Sequence, residues 1–425
     1  MKKVLVITYY WPPAGGPGVQ RWLKFCTYLP KYGISPIVFA PKNPEYPIID
    51  NTLINELSND IQIIKYPIFE PYKLASLFNK KVSNTISKGV IPEASKQSFI
   101  QKLMLWVRGN LFIPDARKFW VKPSVNFLEK EISKLQVDTI ITTGPPHSVH
   151  LIGKLLKQKL GVKWFADFRD PWTSIGYHKD LKLTRWAQKR HLKLESQVLK
   201  NADEILVTSY ATEKEFLSLT NQPIHVLTNG YDKQNYNIDC RLDDKFTLAH
   251  IGSLLTERNP TVLWKVLSEL LKENVEFKSF FELKLAGVIS QEVIQSLEKF
   301  DLLQYTNQLG YLTHQQAIIE QKSSQVLLII EIDSEHTKQI IPGKVFESLA
   351  ANRPIIGLGP QESDFFNIIN QTQTGKVFCY NEAIDLKKHI LDLFDNFKKG
   401  ELVVCSKNTE QFSRENLTEQ LSKIL

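Results

Sequence analysis

The residues best suited to chemistry in this chain lie between Pro342 and Glu347. Proline is favoured at the first position of a helix, so Pro342 predicts that a helix begins there. The free N–H groups of its first turn, the helix dipole and the Lys344 ammonium would attract an anion, most naturally a phosphate. Glu347 shares a helix face with Gly343 and Lys344, where a carboxylate can accept hydrogen bonds from sugar or ribose hydroxyls. This spacing predicts a nucleotide-sugar site.

Two glycine-containing turns predict further contacts with phosphate. Gly252 and Ser253 end an apolar segment. Arg258 has a guanidinium that can bind phosphate through two hydrogen bonds, or it could be an exposed loop arginine. The segment GGPG at 15–18 also follows an apolar segment, but it lacks the last glycine of a dinucleotide-binding fingerprint. Its backbone N–H groups could approach a pyrophosphate, or it could be a tight turn with one glycine at positive φ.

Polar side chains also follow two strand-like segments of the first half. His147 could bond a sugar hydroxyl or move a proton, or it could cap the following helix, a role for which Ser148 is also suited. Asp167, Arg169 and Asp170 follow the next strand. They could position a substrate, or they could form an internal ion pair that fixes a loop. Surface ion pairs contribute little stability, which favours the first alternative.

Residues 69–122 mix lysine and arginine with aromatic and aliphatic side chains. A basic amphipathic stretch can lie on an anionic membrane. The alternative is a solvated helical insertion packed on the first domain. Basic and aromatic residues together can also indicate nucleic acid, but no known nucleic-acid motif accompanies them, so no nucleic-acid partner is predicted.

Length and composition set the broad class of the protein. A chain of 425 residues normally forms two domains, and its formal net charge of +8 favours anionic partners. The four cysteines lie far apart without a CxxC pair, which argues against a disulfide framework or a zinc site and predicts a reducing cytoplasm. The N-terminal apolar run is too short for a signal peptide, and no window of 18 uncharged apolar residues predicts a transmembrane helix.

Apolar strand-like segments alternate with helical segments along the whole chain. Segments such as KVLVIT (3–8) and QVLLIIEI (325–332) are nearly all apolar, which is typical of parallel sheets covered on both faces. Helices are predicted over 21–32 and 180–201, among others. The pattern predicts an α/β protein with doubly wound domains at 1–225 and 226–407, followed by a helical tail at 408–425. In such folds ligands bind beyond the carboxyl ends of the strands.

The ordered set of motifs resembles a known enzyme family. The chain looks like the retaining GT-B glycosyltransferases of the family-4 type, in particular bacterial members that build surface polysaccharides. The resemblance covers essentially the whole chain and rests on YYWPPAGGPGVQR, TTGPPHSVHLIG, ADFRDPW, TNGYD, HIGSLLTERNP, LAG, LGYLTHQQA and IPGKVFESLAANRPIIGLG. It implies two Rossmann-like domains facing a cleft, with the tail helix packed back on the first domain.

The resemblance also implies roles for individual residues. Gly16 matches the glycine whose N–H meets the donor diphosphate, and His147 matches the histidine near the transferred sugar. Arg258 stands where the family has a phosphate-binding lysine, and Glu347 matches the glutamate that binds the donor ribose. The family holds the nucleotide-sugar donor mainly on the second domain and the acceptor mainly on the first, and it uses no metal.

Two positions depart from the family's pattern. Gln339 replaces a glutamate that often lies eight positions before the second one, and Ser253 replaces an arginine after the glycine of the phosphate loop. The amide of Gln339 can still bond a sugar, but its charge is gone. Without the arginine, Arg258 and Lys344 would carry more of the phosphate charge.

These arguments together predict the site residues and the function. The predicted catalytic residues are His147 and Asp170. The predicted acceptor-binding residues are Asp167 and Arg169. The predicted donor-binding residues are Gly16, Gly252, Ser253, Arg258, Gln339, Gly343, Lys344 and Glu347.

The predicted reaction moves a sugar from a nucleotide-sugar donor to a cell-surface glycan or lipid-linked acceptor, with retention at the anomeric carbon. No metal or other cofactor is expected, because the nucleotide sugar is a substrate. The expected location is the cytoplasm, peripherally on the inner face of the membrane. Two alternatives are a non-hydrolysing nucleotide-sugar epimerase and a non-catalytic GT-B-like binding or assembly protein.

Overall fold

The structure is a computed structural model that describes residues 1–58, 60–71, 99–175, 178, 181–334, 337–338 and 340–425. Half of the predicted basic insertion, at 72–98, and the predicted donor residue Gln339 lie outside the described residues. The chain forms two compact units. The first comprises Met1–Asn229 with Leu417–Leu425, and the second comprises Gly230–Asn416.

The first unit is built on a seven-stranded sheet with the order β3-β2-β1-β4-β5-β6-β7, in which every neighbouring pair is parallel. Its central strands are buried, as the apolar runs predict. The strands are β1 (Lys2–Thr8), β2 (Ile34–Pro41), β3 (Gln62–Tyr66), β4 (Thr139–Gly144), β5 (Lys163–Phe168), β6 (Glu204–Val207) and β7 (Ile224–Val226).

Helices of the first unit pack against both faces of this sheet. One core groups Trp120, Val125 and Leu156 with Ile140, and the other groups Trp22 with Val6 and other strand residues. The helices are α1 (Pro17–Tyr28), α2 (Phe99–Leu111), α3 (Lys118–Leu135), α4 (Ser148–Leu160), α5 (Arg185–Asn201) and α6 (Tyr210–Leu217).

The second unit repeats the scheme with a six-stranded parallel sheet of order β10-β9-β8-β11-β12-β13. Its strands are β8 (Phe246–Ile251), β9 (Phe281–Ala286), β10 (Thr306–Gly310), β11 (Val326–Ile330), β12 (Ile355–Leu358) and β13 (Gly375–Phe378). Its helices are α7 (Thr261–Glu273), α8 (Val275–Phe280), α9 (Gln291–Lys299), α10 (His314–Ser323), α11 (Gly343–Ala351), α12 (Asp364–Thr372) and α13 (Ala383–Lys399).

The last helix, α14 (Arg414–Ile424), begins in the second unit and continues in the first. Leu417 and Leu421 are buried in the same core as Val4, Val6 and Trp22. Among the described helices, none has the length and apolar content needed to cross a membrane.

Candidate functional site

The best-defined polar group of the second unit lies where β8 and β9 end and α11 begins. Gly252 and Gly287 adopt φ values of +123° and +98°, a region that favours glycine. A Cβ on Gly287 would lie 2.7 Å from the Gly252 carbonyl carbon, and a Cβ on Gly252 would lie 2.4 Å from Lys344 Cε. Glycine at 287 therefore lets the ends of the two strands approach each other, and glycine at 252 leaves space for the Lys344 side chain.

Lys344 contacts His250, which the sequence did not single out. Lys344 Nζ lies 3.1 Å from His250 Nε2 and donates to the Ser253 carbonyl oxygen over 3.4 Å. His250 Nδ1 lies 3.1 Å from the Leu328 carbonyl oxygen, which places the ring proton on Nδ1 and leaves Nε2 to accept from Lys344. Burial lowers the pKa of His250 to about 3, so the ring is neutral at pH 7.

Burial, and then the nearby Arg258 cation, lower the pKa of Lys344 to about 8, against the opposite effects of Glu331 and Glu347. Lys344 is therefore still charged at pH 7, but its charge is poorly compensated. An anion such as a phosphate, in contact with the ammonium, would compensate this positive charge.

Arg258 is held by a buried carboxylate. Its Nε lies 3.1 Å and its NH2 2.9 Å from the same oxygen of Glu331, whose side chain is 1% exposed. That oxygen also accepts from the backbone N–H of Ile332 at 2.9 Å, and the Tyr380 hydroxyl donates to the Glu331 carbonyl oxygen. Glu331 follows β11 directly, so the sheet fixes the carboxylate and the carboxylate orients the guanidinium.

Glu347 lies one turn after Lys344 on α11. Its carboxylate accepts from Gln321 Nε2 at 3.3 Å, and the Gln321 amide oxygen accepts from the Tyr236 hydroxyl at 2.9 Å. These contacts hold one carboxylate oxygen, Oε2, and no hydrogen bond to Oε1 is present within the described parts of the chain. Glu347 is therefore available to a hydroxyl-bearing ligand.

The helix that carries Lys344 begins one residue later than predicted. Pro342 is its N-cap, with φ −58° and ψ 133°, and Gly343 is the first helical residue. Proline has no side-chain acceptor, so no side chain caps the first turn. The end of α11 that faces Gly252 thus combines uncapped N–H groups with the Lys344 ammonium.

The pH dependence of anion binding tests this group. Lys344 loses its proton as the pH rises through about 8. We therefore expect the affinity for a nucleoside diphosphate, measured by titration calorimetry, to fall between pH 7.5 and pH 9, where the diphosphate itself is almost fully ionised. Lys344→Arg keeps its charge over this range and should give a flat profile. An equal fall in both proteins would contradict the assignment.

A second prediction concerns Gly252. In Gly252→Ala the new Cβ meets Lys344 Cε at 2.4 Å and the backbone is held at φ +123°. We expect a loss of stability of about 1–3 kcal/mol and at least a tenfold weaker affinity for a nucleoside diphosphate. Gly400→Ala is the matched control, because Gly400 also has positive φ but has open space around its Cβ position. An unchanged affinity in Gly252→Ala would be the contrary result.

The first unit contains a separate cavity of about 380 Å³ at the carboxyl ends of β4 and β5. It contains polar groups of several kinds together with one indole. Six of its lining residues are Arg108, His147, Asp170, Trp172, His178 and His191.

His147 occupies the N-cap position of α4 but makes no side-chain capping bond. That role falls to Asp115, whose carboxylate accepts from the Ser148 N–H at 2.9 Å and from its hydroxyl at 2.8 Å. Both ring nitrogens of His147 are buried and have no partner among the described residues, and the ring stacks on Trp172 with centroids 4.8 Å apart. Burial, with the nearby His150 and Arg169, lowers the pKa of His147, so the ring is neutral.

Two histidines that the sequence did not single out line the same cavity. His191 Nδ1 accepts from Trp172 Nε1 at 3.1 Å, and the His178 ring meets the His191 ring edge to face at 4.6 Å. Burial lowers the pKa of His178 to about 4, and it also lowers the pKa of His191. The cavity wall therefore presents neutral imidazoles, which suit uncharged hydroxyl groups.

Arg169 and Asp170 directly follow the carboxyl end of β5. Arg169 donates from Nε to the Gly144 carbonyl oxygen at 3.2 Å and from NH2 to the Pro145 carbonyl oxygen, so it fixes the loop before His147. Asp170 lines the cavity, and burial raises the pKa of its carboxyl group.

Asp167 lies in the interior, with its side chain fully buried. One oxygen pairs with Arg21 NH2 at 3.1 Å, and the other accepts from Trp22 Nε1 and Thr143 Oγ1, each at 2.7 Å. Arg21 also donates to the Thr228 carbonyl oxygen at 2.5 Å. Both oxygens are therefore engaged in internal contacts, which supports the ion-pair alternative for Asp167.

Gly16 is the N-cap of α1 and has φ +109°. Its carbonyl oxygen accepts from the N–H groups of Val19 and Gln20. The positive φ explains why glycine stands there, and the predicted diphosphate contact stays a prediction.

Across the ranges that the structure describes, no three His, Cys, Asp or Glu side chains lie close enough to hold a metal ion.

No protein-family model matches this chain, and no curated protein sequence matches it. Solved structures do share its fold. HepE of Anabaena, in complex with UDP, is 12% identical with a TM-score of 0.62, over 100% of this chain and 99% of that chain. Sucrose-phosphate synthase of Thermosynechococcus elongatus is 14% identical with a TM-score of 0.60, over 100% and 98%.

A candidate UDP-N-acetylglucosamine 2-epimerase from Listeria monocytogenes is 12% identical with a TM-score of 0.55, over 99% and 95%. At such identities the likeness shows the fold alone. The predicted α/β architecture of the GT-B type is confirmed.

Proposed function

We propose that this protein is a glycosyltransferase that moves a sugar from a nucleotide-sugar donor to a glycan or lipid-linked acceptor. The observation that carries the proposal is the placement of the Lys344 ammonium over Gly252, with Arg258 held nearby by Glu331. Two cations and an uncapped helix start suit the diphosphate of the donor. The complex of the similar HepE structure with UDP fits the same ligand class.

The same groups account for the chemistry at the leaving group. When the bond between the anomeric carbon and the phosphate oxygen breaks, negative charge grows on the diphosphate. Fixed cations stabilise such developing charge without reorganisation. Lys344 and Arg258 would do this without a metal, and Glu347 would hold the ribose hydroxyls.

The acceptor group would lie in the cavity of the first unit. Its neutral imidazoles can bond hydroxyl groups, and both ring nitrogens of His147 have no partner among the described residues. We propose retention at the anomeric carbon, with the departing phosphate taking the proton of the attacking hydroxyl. The anomeric configuration of the product, read from NMR coupling constants, tests that step. An inverted product would contradict it.

A nucleotide panel tests the donor site. The melting temperature of the protein is measured with UDP, GDP, ADP, CMP and dTDP and their common sugars, because a ligand that binds only the folded state raises it. Stabilisation by one nucleotide class is expected. Arg258→Ala and Glu347→Ala should each reduce it, and an unchanged response in both variants would contradict the site.

The epimerase alternative has one observation in its favour, the likeness to the candidate epimerase from Listeria monocytogenes. An epimerase would convert a nucleotide sugar without any acceptor. A non-catalytic protein, the alternative that Ser253 and Gln339 keep open, would leave every donor unchanged. Chromatography of the nucleotide sugars after incubation with the protein alone, and then with an acceptor extract, separates the three.

A further inference from the structure

Two helices of the first unit expose a surface with charge of one sign only. Residues 99–112, which include α2, and residues 181–193, at the start of α5, contain no aspartate or glutamate. Their cations are Lys102, Arg108, Lys182, Arg185, Lys189, Arg190 and Lys193. Within the described residues, none of the lysines and neither Arg185 nor Arg190 takes part in an ion pair.

Large apolar side chains stand among these cations. Trp186 in the first turn of α5 is 65% exposed, and Trp106 on α2 is 39% exposed. Leu103 and Leu192 are also exposed. An exposed tryptophan beside lysine and arginine is the composition found where proteins meet the headgroup layer of a membrane.

The two helices form one structural element. Asn110 donates to the Trp106 and Lys182 carbonyl oxygens at 2.8 and 3.3 Å and accepts from the Thr184 N–H at 2.7 Å. Thr184 in turn caps α5. At Gly109 a Cβ would lie 2.7 Å from Leu183 Cδ2, so α2 rests closely on the chain that enters α5. We name the exposed side of this element, with Leu103, Trp106, Trp186 and the cations other than Arg108, the basic aromatic face.

The opposite side of the same element lines the cavity that we propose for the acceptor. Arg108, Gly109, Leu181 and His191 belong to its wall. A partner surface bound to the basic aromatic face would therefore lie next to the cavity that we propose for the acceptor.

We propose that the basic aromatic face docks on an anionic lipid bilayer. The sequence offered membrane contact for residues 69–122 as one of two alternatives. The structure adds the start of α5, which supplies five of the six cations of this face and the most exposed tryptophan. Each lysine or arginine near an anionic surface adds to binding, and the tryptophans anchor at the interface. The inference concerns only the first unit and does not depend on the donor site.

Vesicle flotation tests the inference. The full chain is mixed with vesicles of phosphatidylglycerol and phosphatidylcholine, or of phosphatidylcholine alone. We expect binding to the anionic vesicles only, weakening as salt is raised. In Lys189→Gln/Arg190→Gln the affinity should fall at least tenfold, and Trp106→Ala/Trp186→Ala should lose binding that remains in high salt.

Matched controls lie on the second unit. Lys388→Gln/Lys399→Gln removes two exposed cations of α13, and Tyr311→Ala removes an exposed aromatic ring. Both should bind anionic vesicles like the wild type. The inference is overturned if the wild type does not bind anionic vesicles, or if the surface variants bind like the controls. It is also overturned if the wild type binds a nucleic acid but no vesicles, and the surface variants lose the affinity for that nucleic acid.

Discussion

Lys344→Ala is expected to weaken the binding of a nucleoside diphosphate by at least about 30-fold. The ammonium lies against Gly252, His250 and the Ser253 carbonyl oxygen, where it can meet the diphosphate with little freedom to move. Removing one partner of such a hydrogen-bonded charge pair costs about 2–5 kcal/mol, and 1.4 kcal/mol corresponds to a tenfold change in affinity. Titration calorimetry with the nucleotide found in the panel measures the effect.

The control for this change is Lys388→Ala, an exposed lysine on α13. It removes the same charge from the same unit and should leave the affinity within twofold. If both variants bind the nucleotide like the wild type, Lys344 does not bind the nucleotide-sugar donor. The proposed leaving-group chemistry would then lack its main cation.

Asp167→Ala is expected to lower the free energy of unfolding of the first unit by about 3–5 kcal/mol. The change leaves Arg21, which is 1% exposed, without its carboxylate, and it leaves the Trp22 and Thr143 donors without an acceptor. An uncompensated buried charge is among the most destabilising defects that one substitution can make.

Tryptophan fluorescence during urea unfolding is a suitable measurement, because seven of the eight tryptophans belong to the first unit and only Trp264 belongs to the second. Asp170→Ala is the control. Asp170 lines the cavity, so its loss should affect acceptor use more than stability. A loss below about 1 kcal/mol in Asp167→Ala would contradict the structural role and return Asp167 to the acceptor-binding residues.

The strands of both sheets were predictable because most are unbroken apolar runs. Helix starts were harder. The helix predicted over 21–32 begins at Pro17, whose ring suits the first turn, and it ends at Tyr28 before the 3-10 turn Leu29–Tyr32. The helix predicted over 180–201 begins at Arg185, because the Thr184 side chain accepts from the Ala187 N–H and sets the start.

The contacts within the candidate site could be predicted only in part. Lys344 and Glu347 are neighbours on one helix, so their spacing sufficed. The partners of Lys344 and Arg258 lie 94 and 73 residues away along the chain, and only the sheet order brings them together. Two signals were present nonetheless: a histidine inside an apolar strand, His250, and a glutamate directly after one, Glu331.

The most direct test of the central claim is sugar transfer itself. The wild type is incubated with the nucleotide sugar identified in the panel, with and without an extract of glycans and lipid-linked saccharides, and release of the nucleoside diphosphate is followed. The account predicts release that requires the extract, incorporation of the sugar into it, and a rate at least about 30-fold lower in Lys344→Ala. Folded wild type that releases no diphosphate, or that converts the nucleotide sugar to an isomer without extract, would contradict it.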